Sequence, residues 1–358
     1  MRACKLAVIV SGFPRRSETF ALNELLALEE RGALACVFAT KPGETCAPQP
    51  GCERLLDRVQ LLPQVGPIEQ AAIVAERLEG LNLRGIHGYF AHTPAEVAAH
   101  AAARLRLPYG FSVHARDARK VAPDDLARRA QRAACVIACN MDVAKSLRGA
   151  GAQVELVPHG VDLKRFRPQS KPEADTLRVL AVGRLVEKKG FHHLLAAAAR
   201  VRSPFSLRII GEGPERERLS RMIEAYGLDE SITLCGARNH EELPEEYARA
   251  HVLVAPSIQD HMGDRDGLPN VVLEAMASGC AVLASDMGAI SSAIVQGQTG
   301  ILVPPGDEQA MASGLELLAL KPDLREELGR NARSLVERDY EVERCTERLY
   351  QLLEKVYA

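Results

Sequence analysis

The chain has 358 residues, 47% hydrophobic and 26% charged, with a net charge of −2, and is longer than one hydrophobic core usually grows, so two domains are expected. That near-neutral balance gives no electrostatic case for nucleic acid as a partner. Nine cysteines lack paired metal-type spacing; the close pair Cys135 and Cys139 brackets an apolar run and reads as core, so a reducing cytoplasm fits.

After the opening Met1-Arg2-Ala3-Cys4-Lys5, the apolar run Leu6 to Val10 is too brief for a signal segment or a membrane span, which leaves peripheral contact as the only membrane role. Lys5 to Val10 reads instead as a buried parallel strand, followed by a loop holding Gly12 and by helical leucine spacing over Asn23 to Arg31. Ser17 can cap that helix. Arg15, Arg16 and the Gly12 amide then stand at the mouth of a parallel sheet, where open α/β folds bind ligands, although a solvated loop is the plainer alternative. Further strand runs fall at Leu34 to Ala39, Gly85 to Phe90, Gly110 to His114, Ala134 to Ala138 and Val154 to Val157, with helical segments such as Ala95 to Arg106 between several of them. This alternation predicts a doubly wound parallel sheet. His87, His92 and His114 lie near strand ends without helical zinc spacing, so they are read singly: His87 and His92 as structural, His114 as the head of a polar loop.

Val157 to Pro168 closes the first half, and Gln169 to Thr176, polar with Pro172 inside it, reads as an interdomain linker. The second half restarts with a strand, Leu177 to Val182. A Gly-bounded basic loop, Gly183 to Gly190, then leads into a helix from Phe191, an arrangement suited to anions, although on these residues alone two surface cations are the plainer reading. Strands follow at Leu207 to Ile210, Ile232 to Cys235, Val252 to Ala255 and Ala281 to Ala284. The turn Gly211-Glu212-Gly213-Pro214 is weak as a dinucleotide fingerprint, because Pro214 and Glu215 replace its continuation.

The stretch Asp264 to Gly279 joins an acidic loop to an amphipathic helix. Gly267 lets the chain turn and Pro269 sits where a first helical turn tolerates proline. The backbone N–H groups around Leu268, Pro269, Asn270 and Val271 therefore point out of the helix start, with the positive dipole end behind them, and suit phosphate. Asp266 acts from the loop and Glu274 from the second turn, too far apart to share one helix face. Such spacing suits an elongated ligand with hydroxyls at both ends and phosphate between, the shape of a nucleotide sugar; a capped core helix with a solvated Glu274 is the alternative. From Asp307 onward helices dominate. The last, Val342 to Val356, carries Cys345, Leu349, Leu352, Leu353 and Val356 on one stripe.

Asp266 and Glu274, in the setting Gly-Leu-Pro-Asn-Val-Val-Leu-Glu-Ala-Met-Ala, resemble the E-x7-E motif of glycosyltransferase family 4, with Asp266 one methylene shorter than the family's usual Glu. The loop Gly183-Arg184-Leu185-Val186-Glu187-Lys188-Lys189-Gly190 is similar to the family's Gly-Arg-Leu-x-x-x-Lys-Gly loop. Phe13 to Phe20 resembles the start of bacterial exopolysaccharide glycosyltransferases of the colanic-acid type. His114-Ala115-Arg116-Asp117 is similar to a His-Ala-x-Asp stretch of the family's first domain, and Pro158-His159-Gly160-Val161-Asp162 to its domain boundary.

The resemblance implies a GT-B fold: two Rossmann-like domains with parallel sheets facing a cleft. Residues 1–168 would form the acceptor side, with a terminal helix over 341–358 packed back on it, and residues 177–340 would hold the nucleotide sugar. It implies a retaining hexosyltransferase of surface polysaccharide synthesis, in the cytoplasm or peripheral at the inner membrane face. The acceptor would be a glycan, a lipid-linked glycan or a small molecule. Arg184 and Lys189 would grip the donor diphosphate, Glu274 the ribose hydroxyls and Asp266 the sugar hydroxyls, while His114 lines the acceptor side near Gly12. No general base is implied, since retention would proceed by front-face attack with the leaving phosphate taking the acceptor proton. The rivals are a nucleotide-sugar epimerase or hydrolase on the same scaffold and a non-catalytic partner subunit. Asp264-Arg265-Asp266 is also formally a D-x-D, with Asp260 and His261 nearby, and a hard cation wants clustered carboxylates. Arg184 and Lys189 already supply two positive charges, so metal-independent transfer with no cofactor beyond the donor is expected.

Overall fold

Runs of consecutive apolar residues become strands here because both faces of each sheet are covered. In the first strand, Leu6, Val8 and Val10 face one cluster with Leu22, Leu25, Leu349 and Leu353, whereas Ala7 and Ile9 face another with Val74, Val97 and Ala101. The computed structural model describes residues 5–15, 18–44, 49–169 and 175–358. The chain forms two units: Met1–Gly160 with Val342–Ala358, and Val161–Glu341.

The first unit holds β1 (Leu6–Val10), β2 (Leu34–Ala39), β3 (Val59–Leu61), β4 (Gly85–Gly88), β5 (Tyr109–Val113), β6 (Cys135–Ala138) and β7 (Glu155–Leu156). They form one parallel sheet in the order β3-β2-β1-β4-β5-β6-β7. The second unit holds β8 (Leu177–Val182), β9 (Phe205–Ile210), β10 (Ile232–Leu234), β11 (Val252–Ala255), β12 (Ala281–Ser285) and β13 (Ile301–Val303). These are also parallel, in the order β10-β9-β8-β11-β12-β13. Strand order reverses at β1/β4 and at β8/β11. In such folds the loops at the carboxyl ends of those strands are where ligands bind.

The terminal helix Val342–Tyr357 buries Cys345, Leu349, Leu353 and Tyr357. Arg31 ties it to the helix Thr19–Glu30 through Glu347 at 2.8 Å. Tyr357 lies over Gly85 and Gly110, where an added Cβ would come within 2.2 Å of its ring and 2.5 Å of its phenol oxygen.

Several expectations shift. The unit boundary falls at Gly160, ahead of residue 168, because Val161 bridges to Glu341 and Phe166 is buried against Tyr247 in the second unit's core. The helix predicted from Asn23 starts at Thr19, and the Ser17 cap and Arg16 lie outside the described residues. The helix behind Asp266 is Asn270–Ala277, with Pro269 as its extended N-cap at φ −70° and ψ 135° rather than inside its first turn. β3 and β13 went unread: each has only three residues, and Gln60 and Leu61 are exposed at the sheet edge. Among the described residues no cysteine is bridged.

Candidate functional site

In the second unit two loops meet at the carboxyl ends of β8 and β11. Gly190, at φ 65°, has its backbone against Pro256; an added Cβ would lie 1.9 Å from the Pro256 oxygen, so glycine is required for this approach. The Ile258 amide donates to the Lys188 carbonyl at 2.9 Å and locks the two loops together. Gly288 plays the same part behind the acidic loop, where an added Cβ would lie 2.2 Å from the Asp266 carbonyl oxygen.

The side chains carried by these loops form a charge cluster. Lys188 donates to Asp264 at 2.9 Å and lies 3.3 Å from Asp266, Lys189 donates to Asp266 at 2.6 Å, and Ser257 donates to Asp266 at 3.2 Å. Burial opposes ionisation of Asp266, yet Lys189 and then Lys188 hold its carboxyl down at about 2. Arg184 is exposed on the same loop as the lysines. Two ammonium groups and two carboxylates cancel there; Arg184 and the helix N-terminus at Asn270 add positive potential beside them, while Glu187 on the same loop is held by His261.

Leu268, Pro269, Asn270 and Val271 are half-buried at that N-terminus. Glu274, one turn further, is buried rather than solvated: the Tyr247 hydroxyl donates to one carboxylate oxygen at 2.8 Å and His240 Nε2 lies 3.2 Å from the other. Burial first, then the neighbouring Glu274, pushes the Tyr247 phenol well above its ordinary value, which keeps it a donor.

The first unit builds a separate constellation from the carboxyl ends of its strands. Gly12 follows β1 with its Cα against the chain at Pro42, where an added Cβ would lie 2.7 Å from the carbonyl oxygen. Arg15 is compensated by Glu18 at 3.1 Å and Glu44 at 3.7 Å. His114, buried just after β5, has its ring 5.0 Å from that of Phe20, 4.9 Å from Phe90 and 5.1 Å from His159. His159 Nδ1 donates to Glu24 at 2.8 Å, and the Tyr89 hydroxyl donates to the other Glu24 oxygen. Burial alone would neutralise both partners. Glu24 nevertheless raises the His159 imidazolium to about 10, with Cys139 helping, and His159 with Tyr89 keeps the Glu24 carboxyl below its ordinary value. The ligand atoms of His114, Cys139 and His159 lie within 4.8 Å of one another. That trio offers three donor atoms, one short of the four that a structural zinc site uses.

Of the residues singled out from the sequence, Asp266, Lys189, Glu274 and the helix start come to one end of the second sheet, and Lys188, the more buried lysine and not among them, joins them there. Glu24, Tyr89 and His159 likewise carry no site role on the sequence alone. Glu24 could have been found as the lone carboxylate on the stripe Ala21, Leu25 and Leu28, all buried. His87 is structural: burial lowers it to about 4, and its ring nitrogens lie 3.0 Å from the Ser112 hydroxyl and 3.3 Å from the Tyr357 hydroxyl.

Two family models match the chain. Residues 162–335 match the one described as glycosyl transferases group 1, and residues 17–165 the one described as Glycosyltransferase Family 4. Among curated proteins, WcaL of Salmonella typhimurium, named as a colanic acid biosynthesis glycosyltransferase, is 34% identical over 202 residues, covering 55% of this chain and 50% of that protein. An alpha-D-kanosaminyltransferase of Streptomyces kanamyceticus is 32% identical over 174 residues, covering 48% of this chain and 44% of the relative. The chain thus spans about half the length of the curated relatives it matches. Among solved structures, Anabaena Alr3699/HepE in complex with UDP aligns with TM-score 0.82 over 98% of this chain and 100% of that one, at 19% identity, a likeness of fold.

Proposed function

We propose that the chain, whose residues 162–335 match glycosyl transferases group 1 and residues 17–165 Glycosyltransferase Family 4, and whose two Rossmann-like units share the fold of GT-B enzymes, is a retaining, metal-independent glycosyltransferase. The donor is a nucleotide diphosphate sugar and the acceptor a glycan or lipid-linked glycan of surface polysaccharide synthesis. One observation carries this: the two lysines of the β8 loop close on Asp266 directly in front of the helix that starts at Asn270 and carries Glu274. A diphosphate arriving there meets Arg184, Lys189 and the helix N-terminus together, and its charge replaces part of what the aspartates now compensate.

In this assignment Glu274 accepts from the ribose hydroxyls and Asp266, anchored by Lys188, from the sugar hydroxyls. On the acceptor side, His114 and the Gly12 loop belong to the first unit. The acceptor oxygen bonds to the anomeric carbon as the bond to the diphosphate oxygen breaks, and the acceptor proton passes to that oxygen on the same face. Because Lys188 and Lys189 already neutralise Asp264 and Asp266, a cation there would have to displace two ammonium groups, which favours transfer without metal. No described helix is long and apolar enough to cross a membrane. We place the protein in the cytoplasm, meeting lipid-linked acceptors peripherally at the inner face. The test is a thermal-shift screen of UDP, GDP and other nucleotide sugars, since a ligand at 100 times its Kd stabilises by about 2.7 kcal/mol, followed by turnover assays in excess chelator. If no nucleotide sugar raises the melting temperature and none is consumed, the assignment is wrong.

A further inference from the structure

Arg165 lies on the segment between Val161 and the buried Phe166, and its Nη1 donates to His240 Nδ1 at 2.7 Å. A guanidinium carries donors and no acceptor, so this imidazole nitrogen must present its lone pair. The single proton of the neutral ring is then on Nε2, 3.2 Å from Glu274 Oε1. Phe166 meets the same ring edge-on at 5.4 Å and 68° and limits its rotation. From the other side the Tyr247 hydroxyl donates to Glu274 Oε2 at 2.8 Å. Glu274 is thus held by one donor on each oxygen, and each oxygen keeps a further lone-pair direction for a ligand.

We propose that Arg165 and His240 are positioning residues which, by fixing the Nε2–H tautomer, hold Glu274 as an acceptor-only carboxylate for the vicinal hydroxyls of a nucleoside ribose, and so determine selectivity for the diol rather than for the diphosphate. This rests on the nucleotide-sugar assignment above and adds two residues to it. A vicinal diol offers two O–H donors on adjacent carbons, which matches the two remaining lone-pair directions of one carboxylate. Without the guanidinium, His240 has two other states. With its proton on Nδ1, the Nε2 lone pair would face Glu274 Oε1 and push the carboxylate away. With protons on both nitrogens it would form an ion pair and draw the carboxylate onto itself. Either state re-aims Glu274, while Lys188, Lys189 and Arg184 are untouched.

The test uses the full chain and two readouts. Nitrogen-15 NMR of labelled histidines at pH 7 is expected to show His240 as a neutral Nε2–H ring in the wild type and to lose that single state in Arg165→Met. Calorimetry with UDP and GDP and their 2′-deoxy and 3′-deoxy counterparts is expected to show a ribose preference of roughly 10-fold or more, the scale of a hydrogen bond to a charged group. In Arg165→Met that preference should fall below about threefold, with pyrophosphate affinity within about twofold of wild type. His240→Gln, whose amide oxygen can accept from Arg165 while its nitrogen donates to Glu274, should keep the preference. His240→Leu should lose it, which gives the same contrast if Arg165→Met fails to fold. A wild-type His240 that is doubly protonated or carries its proton on Nδ1 overturns the proposal, as does a folded Arg165→Met chain with undiminished ribose preference. A wild-type chain that binds no nucleoside diphosphate overturns the donor assignment itself, a result distinct from nucleotides that bind with no regard to Arg165.

Discussion

Replacing Lys188 by Met separates the charge of this residue from its packing. The ammonium lies 2.9 Å from Asp264 and 3.3 Å from Asp266, and its side chain is only 7% exposed against 26% and 12% for the two carboxylates, so the cation is buried and its partners partly so. The methionine keeps most of the apolar stem in place, and the loss is therefore mainly that of leaving a carboxylate uncompensated, about 3–5 kcal/mol for a buried pair. Asp266 still has Lys189 at 2.6 Å, which points to the lower end, about 3 kcal/mol. For a unit of this size that lowers the melting temperature by roughly 6–12 °C. The chain has no tryptophan, so the transition is best followed by circular dichroism in urea and on heating. Combining Lys188→Met with Asp264→Asn should restore part of the loss, with a coupling of about 1–3 kcal/mol in the double-mutant cycle. A single-variant loss below about 1 kcal/mol, or strictly additive effects, would refute the claim that this lysine anchors the acidic loop.

The same cluster sets an acid limit: the Asp266 carboxyl is depressed from 3.8 to about 2, so its stabilisation, about 2 kcal/mol, is complete above pH ~4 and lost as pH falls through ~2. Asp266→Asn should flatten the stability curve over that interval, and an unchanged slope counts against it. His159 works in the opposite direction: raised from 6.5 to about 10 by Glu24, its contribution is complete below the lower value and fades as pH rises through the upper one. Glu24→Gln should therefore remove a decline in stability on the alkaline side, read from melting temperatures across that range. Arg184→Ala and Lys189→Ala should each slow transfer on the order of 10²-fold or more, the scale of one lost charge-stabilising donor; activity that vanishes in EDTA and returns with manganese would move the diphosphate role to Asp264 and Asp266. His114→Ala should lower turnover more than donor affinity, and collapse of nucleotide binding at preserved saturating rate would show its placement to be wrong.

What could be read in the chain follows from how local each signal is. Leu177–Val182 and Val252–Ala255 are strands at the residues read for them, because a central parallel strand is apolar at almost every position and needs no partner to be recognised. Val59–Leu61 has one half-buried and two exposed residues at the sheet edge, so nothing in its pattern separates it from a loop. The charge cluster was half legible. Lys189 and Asp266 each sit in a recognisable local setting, but Lys188 meets Asp264 across 76 positions and no spacing rule links them. His159 and Glu24 lie 135 positions apart, and only the fold, by bringing the carboxyl ends of successive strands to one side, makes them neighbours. Glu274 stands out on its helix from the sequence, but its burial could not be read there, since that depends on Tyr247 and His240 arriving from another helix and loop.

The placement of Tyr357 against Gly85 and Gly110 has a consequence for the order of events during synthesis. A ribosome makes the first sheet early, yet the helix that covers Leu22, Leu25 and Leu28 is translated only after the whole of residues 161–341. At about 5–20 residues per second that delay lasts roughly 10–40 s. Throughout it the nascent first sheet carries an uncovered apolar face and a vacant slot above its two glycines, and by its end the second unit has every residue it needs, before that helix is made. The later-encoded unit can thus finish first, and the earlier one spends that interval as the segment open to chaperones and proteases.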